Sequence, residues 1–312
     1  PHKLDRPRRR RLLQHVQRLS MSDPSQALRD FEPGHGFFIG IDSDGCVFDS
    51  MEIKQKECFA PMFIKHHGLQ AVSKYAREVW EFVNLYSKTR GINRFPALVR
   101  ALGLLRERHE AQDRDAKVPS YPALDEWIAR ETKLGNATLA TEVERGNNGL
   151  TQVKVWSDAV NEQIADIVHG VPPFPLVRDC LSQALGQADL MVISQTPCDA
   201  LEREWAEHDL ARFVQAIAGQ EMGTKTEHLQ FATTGKYPAD NVLMIGDAPG
   251  DHNAAKANGV LFYPILPGRE EASWERLHSE ALGRFFDGTY AGDYEASLFA
   301  EFDASLPEHP SW

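Results

Sequence analysis

The stretch FFIGIDSDGCVFD, residues 37–49, decides the fold of this chain of 312 residues. Its apolar run ends in two acids, Asp42 and Asp44, beside a glycine. In an extended segment the side chains at positions i and i+2 project to the same side, so both carboxylates are expected to face one spot at the carboxyl end of a strand. Like charges this close require a cation when they are buried. The stretch is therefore predicted to carry an active site.

Three further apolar runs have the same character, at residues 190–194, 242–246 and 260–264. Each is rich in branched side chains and almost continuously apolar, which is typical of parallel strands buried on both faces. Helical patterns such as 199–208 and 252–257 lie between them. The pattern predicts an α/β fold, with a Rossmann-like parallel sheet core flanked by helices.

A long insertion of about 140 residues separates the first run from the second, and its patterns are mostly helical. The prolines of residues 172–175 mark its return to the core. We therefore expect a partly disordered N-terminal extension (residues 1–36), an α/β core (37–49 and 173–312) and an inserted, mostly α-helical cap domain (50–172). Near the carboxyl end, residues 269–286 predict a helix, followed by a turn and a second short helix.

Composition narrows the possible partners and the compartment. The net charge is −11, although residues 1–20 contain seven Lys or Arg against one Asp, so the remainder is acidic and is expected to repel nucleic acid. The longest apolar runs fall well short of the roughly 20 residues of a membrane helix. The four cysteines form no CxxC pair. We expect a cytoplasmic protein, monomer or homodimer, that binds neither nucleic acid nor membranes.

Polar residues follow the apolar runs in a fixed order. Ser194 closes the second run, Lys225 follows Gly-Thr after another short run, and Asp247 and Asp251 lie in GDAPGD after the third. Ligands of open α/β sheets bind beyond the carboxyl ends of the strands, so these side chains are expected to meet Asp42. Each has a structural alternative, because Ser194 could cap the next helix, Lys225 could be a solvated charge, and the two acids could cap a helix.

With these motifs the chain resembles the haloacid dehalogenase (HAD) superfamily of phosphohydrolases. The resemblance covers residues 37–49 and about 173–265. It implies that Asp42 is a nucleophile that forms an aspartyl-phosphate. It also implies that Asp44 protonates the leaving oxygen and then activates water, that Ser194 donates a hydrogen bond to the phosphoryl group, and that Lys225 balances its negative charge.

The resemblance also implies Mg²⁺ as cofactor. This ion prefers near-octahedral coordination by oxygen. The implied metal set comprises Asp42, Asp44 through its backbone carbonyl, Asp247, and Asp251, which is either a ligand through water or a partner of Lys225. Waters and a substrate oxygen would complete the coordination.

The acid at position 44 favours hydrolysis of a phosphate ester, because dehalogenases of the superfamily lack an acid there and phosphonate-cleaving relatives carry a small residue. We expect a Mg²⁺-dependent phosphoric monoester hydrolase that acts on a small phosphorylated metabolite. Three alternatives stay open: a phosphotransferase or phosphomutase with the same intermediate, a phosphonate hydrolase with Lys88 as imine-forming amine, and a non-catalytic binding protein on the same fold.

The loop SKTRGINRFP, residues 87–96, is the candidate for substrate contacts from the insertion. Lys88, Arg90 and Arg94 place three cations around Gly91, and guanidinium groups suit a carboxylate or a phosphate. The alternative is a solvated helix end. The insertion resembles the mobile cap of the superfamily, whose closure would exclude water from the reaction.

Overall fold

The computed structural model describes residues 23–312. Residues 1–22, the larger part of the predicted N-terminal extension, lie outside the described residues. The remainder of that extension is attached to the sheet. Leu28 is fully buried, and the backbone amides of Gly34 and His35 donate to the carboxylate of Asp189 at 2.9 and 3.0 Å.

Five parallel strands form one sheet, and its order puts the strand that precedes Asp42 in the centre. From edge to edge the order is β3-β2-β1-β4-β5. In the register of β1, Phe37 lies opposite Ala188 and Phe38 opposite Val242. The predicted α/β class is confirmed, while the three-residue strand β3 was too short for the pattern to single out. The strands are β1 (Phe37–Ile41), β2 (Ala188–Ile193), β3 (Ala216–Ala218), β4 (Val242–Gly246) and β5 (Leu261–Pro264).

Helices surround the sheet and fill the long insertion. Two of them run on through a π-helical segment, Lys54–Phe59 after α2 and Leu277–Ala281 after α14. In chain order the α-helices are α1 (Gln26–Arg29), α2 (Ser50–Ile53), α3 (Ala60–His66), α4 (Ser73–Asn84), α5 (Arg94–Glu107), α6 (His109–Gln112), α7 (Pro122–Arg130), α8 (Asn136–Glu144), α9 (Thr151–Ile167), α10 (Val177–Ala184), α11 (Cys198–Glu207), α12 (Lys225–Thr233), α13 (Pro249–Asn258), α14 (Glu270–Arg276), α15 (Leu282–Phe286) and α16 (Asp293–Ser305).

Alternate residues of each strand face opposite sides of the sheet, and both sides are apolar. Ile39 and Ile41 pack on one side, whereas Phe38 packs on the other. This burial on both faces explains the nearly continuous apolar runs of the sequence. α16 packs along the edge strand β5, with Leu298 in the cluster on one side of the sheet and Phe302 in the cluster on the other.

The insertion between β1 and β2, residues 50–172, is called the helical insert below. It has a hydrophobic cluster of its own that extends from Phe59 to Val160 and includes three fully buried tryptophans, Trp80, Trp127 and Trp156. Its division from the core into a cap domain stays a prediction. None of the helices within residues 23–312 combines the length and the apolar character that crossing a membrane requires.

Candidate active site

The predicted core residues follow the carboxyl ends of the strands. Asp42 follows β1, Ser194 follows β2, Asp247 follows β4, and Lys225 is the first residue of α12, beyond β3. The carboxylate oxygens of Asp42, Asp247 and Asp251 lie within 4.8 Å of one another, and all three residues are buried. Residues more than 200 positions apart in the chain therefore form one acidic cluster.

Lys225 joins two of these acids. Its ammonium lies 2.7 Å from Oδ2 of Asp42 and 2.6 Å from Oδ1 of Asp251. Oδ1 of Asp42 accepts from the amide of Ser43 at 2.8 Å, and Oδ2 of Asp251 accepts from the amide of Ala248 at 3.1 Å. Burial acts to lower the pKa of Lys225, but Asp251 and Asp42 raise it, so the amine stays protonated. Asp251 was expected either to bind the metal through water or to pair with Lys225, and this geometry corresponds to the pairing with Lys225.

Asp44 lies beside the cluster and has partners of its own. Oδ1 accepts from Ser50 Oγ and from Lys54 Nζ, and Oδ2 accepts from Thr196 Oγ1 at 2.7 Å. Burial acts to raise the pKa of Asp44, but Lys54 and the hydrogen bonds hold it below its usual value. Lys54 comes from the first turns of the helical insert, so this ion pair connects the insert to the core. In this arrangement Asp44 is a carboxylate.

The turn that carries the two acids is fixed by Ser43 and Gly45. The Ser43 hydroxyl accepts from the Trp205 indole at 3.0 Å and donates to Glu204 at 3.2 Å, both on α11. Gly45 has a φ of 76°, and a Cβ at this position would lie 2.6 Å from Oδ2 of Asp247. Only glycine combines this left-handed backbone with so close an approach.

Glu204 adds a further acid near Asp44. Burial and the charge of Asp44 raise the pKa of Glu204 to about 7, while Lys54 opposes the shift.

Ser194 is buried at the end of β2 and does not cap the following helix. Its amide donates to the carbonyl of Ala218 at 2.9 Å, and its hydroxyl accepts from the amide of Thr196 at 3.2 Å. The helix begins only at Cys198. Because Thr196 also donates to Asp44, the loop after β2 connects Ser194 with Asp44.

Asp247 is paired with Arg90 of the helical insert. The guanidinium donates from Nε at 2.8 Å and lies 2.6 Å away through Nη2, in both cases at the Oδ2 atom. Oδ1 of Asp247 is buried and has no hydrogen-bond partner among the described residues. Burial raises the pKa of Asp247 to about 6; Arg90 opposes this shift and Asp42 adds to it.

The two other cations predicted to contact substrate, Lys88 and Arg94, do not reach the acidic cluster, and their contact with substrate stays a prediction. The Lys88 ammonium donates to the side chain of Asp303 and to its carbonyl at 2.6 Å. Arg94 donates inside the helical insert, to the Ser157 hydroxyl at 3.0 Å and to Asn161 at 2.8 Å. Both cations are satisfied by local oxygens, so only Arg90 of the three reaches the acids.

Sequence reasoning missed Ser50, Lys54, Thr196 and Glu204. Ser50 and Lys54 are four residues apart at the start of the first helix after the acidic turn, so they share one helix face, and that spacing was a readable signal. Thr196 and Glu204 gave no such signal, because their roles depend on how the loop after β2 and helix α11 pack against the turn.

The donor set suits a divalent cation that prefers oxygen. Acids outnumber cations in the described site, where Asp42, Asp44, Asp247, Asp251 and Glu204 face Lys54, Arg90 and Lys225. The unpartnered Oδ1 of Asp247 is an acceptor without a donor, and a buried acceptor of this kind is costly unless a cation or donor reaches it. The residues present therefore fit a metal ion at this cluster.

Comparison with known proteins identified similar solved structures only. No protein-family model and no curated protein matches the chain. A haloacid dehalogenase-like hydrolase from Bacteroides fragilis is 16% identical, covers 76% of this chain and 92% of its own, and has a TM-score of 0.47. A predicted phosphoglycolate phosphatase from Haemophilus somnus is 12% identical, with coverages of 74% and 86% and a TM-score of 0.46.

A haloacid dehalogenase-like hydrolase from Streptococcus pneumoniae is 14% identical, with coverages of 78% and 91% and a TM-score of 0.42. Likeness this distant says nothing of activity. The fold is recognised from the chain itself, because the central strand carries Asp42 and the other motif residues gather at the same edge of a parallel sheet, as the sequence resemblance implied. The chain has a haloacid dehalogenase-like fold.

Proposed function

We propose that this protein is a Mg²⁺-dependent phosphatase that hydrolyses a small phosphorylated metabolite through an aspartyl-phosphate. One observation carries the proposal: a buried cluster of three carboxylates, two of them bridged by a protonated lysine, lies at the carboxyl edge of the sheet beside a fourth acid, Asp44. Buried charges cost several kcal/mol each unless they are compensated, so a merely structural cluster of this kind is disfavoured. Such a site suits a ligand that is itself highly charged.

Asp42 and Asp247 are the residues that would hold the metal, with Oδ1 of Asp247 as the acceptor still available. The backbone carbonyl of Asp44 remains the third predicted ligand. When bound, Mg²⁺ supplies neutralisation of the phosphate charge that would otherwise repel the attacking carboxylate. Asp251 is paired with Lys225 and would hold that ammonium group in position beside Asp42.

Asp42 would attack phosphorus. Its carboxylate is fixed in orientation by Lys225 and by the Ser43 amide, so little reorganisation is needed before the attack. Lys225 would balance the charge on the transferring group, and the Ser194 hydroxyl would donate to one of its oxygens.

Asp44 is in the base form in this arrangement. Lys54, Ser50 and Thr196 all donate to it, which suits the second step, where water must be activated to hydrolyse the aspartyl-phosphate. To protonate a leaving oxygen in the first step, Asp44 must gain a proton, and this requires Lys54 to withdraw. Because Lys54 belongs to the helical insert, movement of the insert would exchange the two forms.

The geometry weighs against one alternative function. An imine-forming amine must lose its proton, yet Lys88 is bound to Asp303. Burial lowers the pKa of Lys54, but Asp44 and Glu204 raise it above its usual value. Neither lysine suits a phosphonate hydrolase. Transfer of the phosphoryl group to a second substrate would use the same residues as hydrolysis, so only an assay can distinguish the two reactions.

The test is hydrolysis of p-nitrophenyl phosphate and of a panel of phosphorylated sugars, glycolate, nucleotides and amino-acid derivatives, with Mg²⁺ and with EDTA. We expect Mg²⁺-dependent phosphate release that Asp42→Asn abolishes, because an amide is not an anionic nucleophile. Asp49→Asn is the matched control, since Asp49 is exposed in the same segment. Full turnover by Asp42→Asn would refute the mechanism, and transfer of the phosphoryl group to an added sugar would identify a phosphotransferase.

A further inference from the structure

Arg90 is built into the site more firmly than a residue of a substrate-binding loop would be. Its side chain is 1% exposed. Its amide donates to the carbonyl of Ser87 at 2.9 Å, and Nη1 donates to the carbonyl of Leu85 at 2.9 Å. Thr89 stiffens the same turn by donating to the carbonyl of Val83 at 2.8 Å. The guanidinium is thus held from behind while its other face meets Asp247.

The same turn is tied to α16. The Lys88 amide donates to the carbonyl of Pro307 at 3.1 Å, and the Lys88 ammonium binds Asp303. α16 in turn packs on the core through Phe302. Arg90 is therefore anchored to the core on two sides, although it belongs to the helical insert by sequence.

Arg90 uses one carboxylate oxygen and leaves the other. Nε and Nη2 both meet Oδ2 of Asp247, which is an uncommon use of a guanidinium that could bind both oxygens. Oδ1 keeps no donor among residues 23–312, and Asp247 contributes one of its two carboxylate oxygens to the cluster with Asp42. Gly45 lies close to both groups, because a Cβ at this position would be 2.6 Å from Oδ2 of Asp247 and 2.8 Å from Nη2 of Arg90.

We infer that Arg90 is a fixed positioning residue for the divalent cation. The guanidinium occupies Oδ2 of Asp247, so it directs the ion to Oδ1, and its charge weakens the binding of the ion. The inference rests on the proposed metal-dependent function. A permanent positive charge on the far oxygen of a ligand carboxylate repels an arriving cation, and in a buried site this repulsion is poorly screened. The consequence is an ion held loosely enough to exchange, with only one oxygen of Asp247 available to it.

The test is Mg²⁺ binding by calorimetry at pH 8.5, without substrate. Arg90→Gln keeps hydrogen-bond donors but removes the charge, and we expect Mg²⁺ to bind about tenfold more tightly than in the wild type. Arg90→Lys keeps the charge and is expected to stay within about threefold of the wild type. Arg94→Gln is the matched control, because Arg94 lies in the same loop but donates inside the insert.

A second, milder variant guards against misfolding of Arg90→Gln. Lys88→Ala removes one anchor of the turn, the bond to Asp303, without changing the acidic cluster, so the charge of Arg90 is held less firmly against Asp247 and Mg²⁺ should bind about threefold more tightly. Equal or weaker binding in both Arg90→Gln and Lys88→Ala overturns the inference, because a purely structural arginine would give that result. Mg²⁺ binding by Arg90→Gln but not by the wild type overturns both the positioning role and the proposed Mg²⁺ dependence, because Arg90 would then exclude the ion. Absence of binding in every form also overturns both.

Discussion

Replacement of Lys54 by Met tests how the helical insert controls Asp44. The ammonium lies 2.5 Å from Oδ1, and both side chains are 15% exposed. At an effective dielectric constant of about 20, the attraction at this distance is about 6 to 7 kcal/mol. Desolvation of the two charges offsets much of it, and removing one partner of a buried pair costs about 3–5 kcal/mol. Because the pair is not fully buried, we take about 3 kcal/mol for Lys54→Met.

This energy sets the expected shift in the pH dependence. Loss of the Lys54 charge removes the interaction that opposes burial, so the pKa of Asp44 should rise in Lys54→Met. In the wild type the pKa of Asp44 is lowered, so its stabilising contribution is present above its ordinary pKa of 3.8 and is lost as the pH falls through the lower folded value. In the variant, Asp44 takes up a proton at a higher pH than in the wild type.

The assay is kcat for p-nitrophenyl phosphate between pH 4 and 9, together with urea unfolding at pH 7. We expect an acidic limb to enter this pH range in Lys54→Met, at a higher pH than in the wild type, and the free energy of unfolding to fall by about 3 kcal/mol. Lys56→Met is the matched control, because Lys56 lies in the same helix and pairs with Glu52 instead. An acidic limb that stays in place in Lys54→Met, despite normal folding, would refute the assigned role of Lys54.

Three further predictions concern the turn, the helical insert and the carboxyl-terminal segment. Gly45→Ala should lower the free energy of unfolding by at least about 2 kcal/mol in a urea titration and reduce turnover more than tenfold. The control Gly288→Ala has a similar φ but open space around the new Cβ, so it should cost only about 1 kcal/mol. Equal costs in the two variants would contradict the crowding at Asp247. Burial lowers the pKa of His67 to about 3, so the stability that the neutral ring contributes is complete above about pH 6.5 and falls on acidification. Between pH 7 and 5 the free energy of unfolding in urea should fall by about 2 kcal/mol more in the wild type than in His67→Gln. Equal losses in the two proteins would contradict this assignment to His67. Trp312 packs edge-on against Phe82 and against the Arg108 guanidinium. Trp312→Ala should therefore raise the deuterium uptake of residues 307–312 and destabilise the protein by about 1 kcal/mol. Unchanged uptake would mean that the ring does not hold this segment.

The sheet and its acidic edge were readable from the sequence because they depend on local patterns. Strands buried on both faces must be apolar throughout, and the polar residue that ends such a run must lie at the sheet edge. This reasoning found β1, β2, β4 and β5 and gave the positions of Asp42, Ser194 and Asp247. It did not find β3, whose Ala-Ile-Ala is too short to form a pattern.

The cations around the acids were harder to identify. Lys88, Arg90 and Arg94 lie within seven residues and have the same charge, and nothing local distinguishes them. A turn held by Ser87 and Thr89 directs one of them to Asp247, while α16 and the interior of the insert bind the other two. Which cation reaches the site depends on oxygens supplied by distant segments.

The sequence by itself determined the layered α/β core, the length of the helical insertion and the order in which acids, a hydroxyl and an amine arrive at the sheet edge, because apolar periodicity and strand direction are short-range properties. Only the tertiary structure decided that Lys54 and Arg90 neutralise Asp44 and Asp247, and that Glu204 lies beneath the turn. Charges pair according to proximity and burial, and both arise only when remote parts of the chain pack together.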